Sequence, residues 1–514
     1  MFTRKMFGAL AVVAAGLIAA GTVSTSSLAA GKTRVVIGVT SNIYGWNPYQ
    51  DSAAQMYGIW CNVYGCLCRY DFDKASFSPM LAESWSVNPN NRNEWTFKLR
   101  KDVKSHSGAE FTAADVVHTI NRIRTDPQTS QKQNVRPLKT AIAVDKHTVK
   151  LITKIPTAHL LQHVCDIYAI TRKEIFDKHG ARDADRKYPD GFGPYKLLRV
   201  VIGEQVITEK AKNSVFGSKD NPDILIWKKM VEVEQRVTAL LNGEIQIAQF
   251  IPPHLMKRVE AGKNTKLSFT DSVEIMMILM NPAFKPWDNK KMRQAVAHAI
   301  DRKTIIKTML QGMAEKLNGP LGPGQIGFDP VRSKTLARDY DPAKAIRLVK
   351  EAGYPNGVDV ELSTPVGRYV NDKIIAQAIV PMLAKVGIRA KLLTPEWATQ
   401  WAGVRKGKKS FFYQGRGSVI DPGPALAQYF QTGVSPRIKY SNPKYDALFD
   451  EVAREFDPEK RKKLINDAIA ILMEDVPAHF MWRHKLAYGV ANNVSISPPA
   501  NGRIYGENIR ITGK

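Results

Sequence analysis

The chain has 514 residues, of which 44% are hydrophobic and 24% charged, and 74 Lys and Arg against 48 Asp and Glu give a net charge of +26. This length and composition exclude a disordered chain, a disulfide-dense miniprotein and a polytopic membrane protein. So large a positive charge is typical of chains that bind nucleic acid, an anionic membrane or an acidic ligand, and equally of proteins that it merely keeps soluble.

The amino terminus predicts a secretory signal. A basic pair precedes an apolar stretch, 6–20, which is shorter than the ~20 residues that a membrane-spanning helix needs. Small residues at Ser27 and Ala29 favour cleavage after the latter, which removes two basic residues and no acid and lowers the net charge from +26 to +24. The sequence therefore predicts a signal peptide over 1–29 and a soluble periplasmic protein with no nucleic-acid partner.

The amino-terminal half of the chain alternates between strand and helix patterns. Residues 35–39 are β-branched and predict a buried strand, and the apolar positions of 55–67 recur at helical spacing. Strict alternation over 94–100 predicts a strand with one solvated face, and 148–155 repeats that pattern. Between these strands Thr112 is predicted to cap a helix, with an aspartate three residues later completing a capping box.

The rest of the chain continues the alternation. We predict a strand at 198–202, a helix at 233–241 and one long amphipathic helix at 290–312. Two further helices begin with an Asp-Pro pair, in which the aspartate is the cap and the proline takes the first helical position, at 342–352 and 458–473. This order without an internal repeat predicts a mixed α/β protein rather than a solenoid.

The four cysteines leave three interpretations open; they are Cys61, Cys66, Cys68 and Cys165. In an oxidising compartment the first three could include one disulfide. The close group could instead bind a metal together with His159, His163 and Cys165. We prefer the third interpretation, in which these cysteines are small core residues, because they lie in an apolar segment and their spacing matches no standard metal site.

Catalytic motifs are absent from the sequence. It contains no Gly-x-Ser-x-Gly elbow, no His-Glu-x-x-His, no phosphate-binding loop and no dinucleotide fingerprint. The predicted function is therefore binding rather than catalysis, with no cofactor, no metal and no catalytic residue.

Several segments together resemble the extracellular solute-binding proteins, family 5, of peptide- and nickel-type ABC importers. The matching segments are 79–85 (PMLAESW), 94–104 (EWTFKLRKDVK), 106–116 (HSGAEFTAADV), 191–197 (GFGPYKL), 241–245 (LNGEI), 292–302 (MRQAVAHAIDR), 352–357 (AGYPNG) and 441–446 (SNPKYD). They follow the family's order along nearly the whole predicted mature chain. Within the fourth segment we expect Gly193 to adopt a positive φ that lets the chain re-enter the first lobe.

The resemblance implies a two-lobed periplasmic-binding-protein fold of type II, in its large form with three subdomains and a ligand cleft between the lobes. By this analogy the divisions are lobe I at 30–53, 190–275 and 480–514, a family-specific subdomain at 54–189, and lobe II at 276–479. It further implies capture of a peptide, or of a peptide-like or anionic small solute, by hinge closure and its delivery to an ABC permease in the inner membrane. We expect a monomer.

The resemblance also places the ligand site after Tyr413. Peptide binders show GWxxDxxDP there, and the first aspartate pairs with the peptide's amino group. This chain reads GRGSVIDP, so that aspartate falls on Ser418 or the next residue, while Asp421 matches the last one. A buried ammonium without a carboxylate is costly, so we expect an anionic ligand held by the Arg416 fork. Alternatively, Arg416 is a surface cation and Asp421 a helix cap.

Further residues are included in the predicted ligand set by analogy. Trp397 matches a pocket-lining position, and Trp401 shares its face if the segment is helical; both could instead be core. Tyr49 and Asp51 follow the first strand at a loop that reaches the cleft in relatives, and Gln249 lies near the hinge. Two other functions stay open at this point: a metal or metallophore carrier, and an exported hydrolase.

Overall fold

In the computed structural model, which describes residues 31–40, 43, 45–50, 54–165, 167, 169–417, 420–434 and 436–513, strands and helices alternate throughout. The strands are β1 (Arg34–Val39), β2 (Cys68–Asp71), β3 (Ser76–Pro79), β4 (Ala82–Val87), β5 (Glu94–Leu99), β6 (Leu138–Asp145), β7 (Thr148–Thr153), β8 (Tyr195–Val201), β9 (Gln205–Lys210), β10 (Ile224–Lys229), β11 (Ile247–Ala248), β12 (Thr265–Met280), β13 (Ala314–Lys316), β14 (Val358–Ser363), β15 (Ile388–Leu393), β16 (Phe411–Arg416), β17 (Ala478–Ala491), β18 (Val494–Ile496) and β19 (Ile509–Ile511). The helices are α1 (Ala54–Tyr64), α2 (Ala113–Thr125), α3 (Lys132–Val135), α4 (Leu160–Val164), α5 (Lys173–Lys187), α6 (Val233–Leu241), α7 (Pro253–Glu260), α8 (Lys290–Ala299), α9 (Arg302–Thr308), α10 (Pro330–Thr335), α11 (Pro342–Glu351), α12 (Asp372–Ala384), α13 (Trp397–Arg405), α14 (Pro422–Phe430), α15 (Pro443–Arg454) and α16 (Pro458–Asp475).

One mixed sheet of 11 strands runs through both lobes. Its order is β15-β14-β16-β12-β17-β11-β1-β10-β9-β8, and β13 pairs with β17. Strands β14, β15 and β16 are parallel to one another, as are β10, β1 and β11. The long strands β12 and β17 pair antiparallel in the middle of the sheet. The mixed α/β two-lobed fold that we expected is therefore confirmed.

Helices cover both faces of the sheet, and the sequence of β12 shows why. Its residues from Ile275 to Met280 are all buried. Met276 and Ile278 pack into the core cluster on one face, whereas Met277 and Leu279 pack into the cluster on the other. Because successive side chains of a strand point to opposite faces, an unbroken apolar run is what a strand covered on both sides requires.

The β12–β17 ladder changes register near the middle of both strands. Asp271 lies opposite Lys485, but the next pair is Ile275 with Arg483. Three residues of β12 thus face one residue of β17. This bulge bends the strand and leaves Glu274 next to the restored pairing.

A four-stranded antiparallel layer, β4-β5-β7-β6, lies beside the large sheet and carries α2–α5. A disulfide joins Cys68, at the start of β2, to Cys165, just after α4, in the core of this layer. The pairing differs from our expectation of unpaired core cysteines, because the fold brings together residues that are 97 positions apart. Cys61 and Cys66 are free and buried.

Most predicted elements are confirmed, with two corrections. Thr112 and Asp115 form the expected capping box at α2. The single helix predicted at 290–312 is wrong: Asp301 accepts a hydrogen bond from Thr304 N and starts a second helix, so the segment divides into α8 and α9. The expectation for Gly193 is also wrong, since its φ is not positive. Its role is a close backbone approach instead.

No helix in the part of the chain that the structure describes is long and apolar enough to cross a membrane. The predicted signal peptide over 1–29 lies outside the described residues. The numerical boundaries of the lobes and the subdomain stay predictions.

Candidate functional site

The site forms where three parallel strands of the second lobe end. β14 is followed by a loop with Arg368 and Tyr369, β15 leads into α13, and β16 ends at Arg416. Because the three strands are parallel, their carboxyl ends lie at one edge of the sheet. Ligands of open α/β sheets bind at such an edge, so these residues are the first candidates for ligand contact.

Two tryptophans present a stacked aromatic surface at this edge. Glu396 caps α13 by accepting hydrogen bonds from Ala398 N and Thr399 N at 2.7 and 3.4 Å, which places Trp397 at the first helical position. Trp401 follows one turn later, and the two ring centroids are 5.5 Å apart with planes at 14°. Both rings are half-buried. The predicted shared face is confirmed.

An arginine lies at each end of the tryptophan pair. The Arg368 guanidinium is 5.2 Å from the ring centroid of Trp397, and that of Arg437 is 5.0 Å from the ring centroid of Trp401. We call these four residues the Arg–Trp row. A stacked guanidinium can still donate hydrogen bonds from the edge of its plane, which suits an anionic ligand lying along the aromatic surface.

Arg416 adds a third cation beside this row. It is the last paired residue of β16, opposite Ile275 of β12. Its Nη1 donates a long hydrogen bond of 3.4 Å to Gly417 O, and its buried Nε has no partner among the described residues. Burial, with the nearby charge of Arg416, lowers the pKa of Arg437 below the usual value for an arginine. The electrostatics at this edge therefore favour a negatively charged ligand.

One carboxylate lies among these cations, and the sequence analysis missed it. Glu274 stands on the β12 bulge, and its Oε1 is 2.9 Å from the point that a Cβ on Gly415 would occupy. Burial raises the pKa of Glu274, although the charges of Arg368 and Arg416 oppose that shift. The available signal was a lone acid at the start of the apolar run 273–280.

Tyr413 and Asp421 lie farther inside the second lobe. Tyr413 is fully buried in the core, 6.2 Å from Tyr369 between ring centroids, and its hydroxyl has no hydrogen-bond partner among the described residues. Asp421 caps α14 through Gly423 N at 2.8 Å, and both of its oxygens accept from Arg461 at 2.8 Å. The alternative that Asp421 is a helix cap is thus confirmed.

Gln249 and Tyr49 are buried and bonded to protein groups. Gln249 accepts from Thr40 N at 3.3 Å and donates to Gly502 O at 3.0 Å. The Tyr49 hydroxyl donates to Ala169 O at 3.1 Å, and burial raises the pKa of Tyr49 to about 12. These contacts join separate chain segments of the fold.

Two members of the predicted ligand set, Asp51 and Ser418, lie outside the described residues. For all nine predicted residues, contact with a ligand stays a prediction. Within the described part of the chain, no three His, Cys, Asp or Glu side chains are grouped so that they could hold a metal ion.

The chain is similar to known proteins both in sequence and in structure. The model of the family described as bacterial extracellular solute-binding proteins, family 5 middle, matches residues 76–437. The chain is 29% identical over 489 residues to the glutathione-binding protein GsiB of Pectobacterium atrosepticum, across 92% of this chain and 93% of that protein. HbpA2 from Haemophilus parasuis has a similar structure, with a TM-score of 0.81 at 23% identity over 93% of this chain and 99% of that one. The ABC transporter-associated periplasmic binding protein DppA from Helicobacter pylori, solved with the peptide STSA, gives a TM-score of 0.76 at 23% identity over 94% and 99%.

Proposed function

Since the chain belongs to the bacterial extracellular solute-binding proteins of family 5, we propose that Arg416 and the Arg–Trp row hold a small peptide-like solute through its carboxylates. The protein is the substrate-binding component of an ABC importer. The family and the relatives are binding proteins rather than enzymes. The protein captures its solute by closure of the lobes and releases it to a permease, with no covalent step.

One observation carries the ligand class. Among the described residues, no carboxylate lies within ion-pair distance of Arg368 or Arg416, although both are at the carboxyl ends of the parallel strands. A guanidinium fork binds a carboxylate through two parallel hydrogen bonds, and such bonds gain strength where water is excluded. The stacked tryptophans supply a flat apolar surface for the uncharged part of the ligand.

The relatives suggest which peptide-like solute to try first. GsiB proteins at 28–29% identity over more than nine-tenths of this chain are named for glutathione. Glutathione carries two carboxylates and one ammonium group, so its net negative charge matches the excess of arginines over acids at the site. We therefore propose glutathione or a related acidic peptide as the ligand.

We place the protein in the periplasm, exported by the signal peptide at 1–29 and acting as a monomer. The proposal is supported by the family, whose members are extracellular, and by the disulfide between Cys68 and Cys165. Disulfides of this kind persist in oxidising compartments.

The Arg416→Ala variant tests the ligand class. We expect it to bind glutathione about 30-fold more weakly than wild type, because a charge-assisted hydrogen bond to a carboxylate contributes about 2 kcal/mol. Isothermal titration calorimetry measures the difference. The control is Arg389→Ala, which removes a half-exposed arginine paired with Asp359 on β14. Equal affinities for wild type and Arg416→Ala would contradict the proposal.

A further inference from the structure

Glu274 lies at an irregular point of the large sheet. It lies on the bulge of β12, one residue before Ile275, which pairs with both Arg416 of β16 and Arg483 of β17. The residue is thus held beside the carboxyl end of β16. Bulges redirect a side chain out of the regular alternation, and here the redirected side chain is a carboxylate.

The space around this carboxylate is kept open by glycines. An added Cβ would lie 2.9 Å from Glu274 Oε1 at Gly415 and 3.8 Å from it at Gly417. Tyr369 borders Gly415 as well. Its hydroxyl donates to Gly415 O at 3.3 Å, and its ring is 2.7 Å from the point that a Cβ on Gly415 would occupy. A larger residue at position 415 would displace the carboxylate, the tyrosine ring or the Met276 sulfur, which is also 2.9 Å from the Cβ point.

The half-buried Glu274 side chain has no hydrogen-bond donor to its carboxylate and no ion-pair partner within 4 Å among the described residues, and desolvation raises its pKa. Arg368 and Arg416 act on it only through their longer-range charges. A carboxylate that is partly withdrawn from water and has no donors is costly, and a cationic group from outside the chain would reduce that cost.

We propose that Glu274 receives the ammonium group of the ligand, while Arg368 and Arg416 receive the carboxylate attached to the same carbon. The inference rests on the proposed function and identifies the recognised group as a free α-amino-acid head. Such a head exists at the γ-linked end of glutathione. It is absent from an ordinary α-linked peptide, whose amino-terminal carbon carries an amide carbonyl instead.

The geometry also explains how an amine is bound without the aspartate that other peptide binders use. In the sequence that position falls on Ser418 or its neighbour, which left the amine without a carboxylate. Glu274 supplies the missing charge from a different strand. Ligand specificity then depends on Glu274 of β12 rather than on the loop after β16.

The experiment combines two ligand changes with one protein change. Glutathione, its N-acetyl derivative and its α-linked isomer are titrated into wild type, Glu274→Gln and Glu361→Gln, the last being an exposed glutamate of β14. We expect wild type and Glu361→Gln to prefer glutathione about 30-fold over both analogues. We expect Glu274→Gln to bind glutathione and the N-acetyl derivative with affinities within about threefold of each other.

The possible results separate this inference from the proposed function. If Glu274→Gln keeps the wild-type preference, or binds all three compounds more tightly, the glutamate only balances the arginine charges and the inference is overturned. If wild type binds all three compounds equally, the inference also fails while the proposed ligand class stands. If wild type binds none of them, both fail.

A second, independent observation concerns Cys61 and Cys66. Their sulfurs are 2.8 Å apart, and the Met80 sulfur is 3.3 Å from that of Cys66, all three being buried. We infer that this pair is oxidised to a disulfide when the protein folds with a disulfide oxidant such as oxidised glutathione. The two thiols lose two protons and two electrons, and the oxidant's own disulfide is reduced to two thiols.

Alkylation counts test this second inference. The denatured protein is refolded in a buffer of reduced and oxidised glutathione, then unfolded and treated with iodoacetamide without further reductant. We expect no alkylated cysteine, against four in a sample reduced completely beforehand. Alkylation of both Cys61 and Cys66 in the refolded protein would overturn the inference, and peptide mass spectrometry distinguishes these cysteines from Cys68 and Cys165.

Discussion

The Asp421→Ala variant is expected to unfold with a free energy about 4 kcal/mol below that of wild type. Asp421 and Arg461 are both buried, and the two carboxylate oxygens each accept a hydrogen bond of 2.8 Å from the guanidinium. Removing one partner leaves the other charge buried and unpaired, which costs about 3–5 kcal/mol. Loss of the Gly423 N–H bond at the start of α14 adds to that effect.

Urea denaturation followed by circular dichroism measures this difference. The matched control is Asp359→Ala, which breaks another bidentate pair, with Arg389, whose side chains are 79% and 51% exposed. We expect the control to lose less than about 1 kcal/mol, because water replaces the partner of an exposed charge. Similar losses in the two variants would show that the Asp421 pair is not buried in solution.

The pH dependence of the Asp421 contribution has a definite sign. Burial alone would raise the pKa of Asp421, but the Arg461 guanidinium outweighs burial and holds that pKa below its usual value. The contribution is therefore complete above about pH 4, the ordinary pKa of an aspartate in the unfolded chain, and is lost as the pH falls through the lower folded value. We expect the free energies of wild type and Asp421→Ala to converge below about pH 4.

Contacts near Asp421 also join the second lobe to the four-stranded layer. The backbone N–H of Asp421 donates to Gln162 of α4 at 3.1 Å, and Ala158 N donates to Ala453 O at 2.8 Å. The four-stranded layer thus contacts the second lobe beside α14. A variant that loosens α14 should weaken this contact as well as the local core.

The starts of several helices and one strand could be predicted from the sequence, because residues close together in the chain determine them. Caps and prolines mark the starts of α2, α11 and α16, and alternation marks β5. The division of 290–312 was missed because the apolar pattern continues across Asp301. That aspartate follows an extended residue, Ile300, whose ψ of 115° breaks the helix. The spacing of the apolar residues gives no information about this backbone angle.

The candidate ligand site could be predicted only in part from the sequence. Trp397, Trp401 and Arg416 were found through resemblance and helical spacing, and the structure brings them to one edge of the sheet. Arg368, Arg437 and Glu274 were missed, because no spacing rule relates a loop after β14, a loop after α14 and a bulge in β12. The Cys68–Cys165 bond was missed for the same reason, since long-range pairing depends on the fold.

Replacing Gly193 with alanine is the second change for which we expect a large loss, about 4 kcal/mol in the free energy of unfolding. A Cβ on Gly193 would lie 2.2 Å from Asn62 O and 2.6 Å from its carbonyl carbon, both of which are backbone atoms of α1. The Gly193 N–H also donates to Val63 O at 2.9 Å, so the two segments cannot separate without breaking that bond. Overpacking that the surroundings cannot relieve lies at the upper end of single-substitution effects.

The measured loss in the free energy of unfolding shows why position 193 needs glycine: for the close approach of the α1 backbone or for its own backbone conformation. A glycine needed only for a positive φ would lose about 1 kcal/mol on replacement by alanine, whereas the observed backbone approach predicts roughly four times that amount. The control is Gly319→Ala, because a Cβ there meets its nearest atom, a methyl of Ile469, at an ordinary 3.7 Å. We expect this control to change stability by less than about 0.5 kcal/mol. A loss near 1 kcal/mol for Gly193→Ala in urea denaturation would mean that α1 can move away from the segment 191–197.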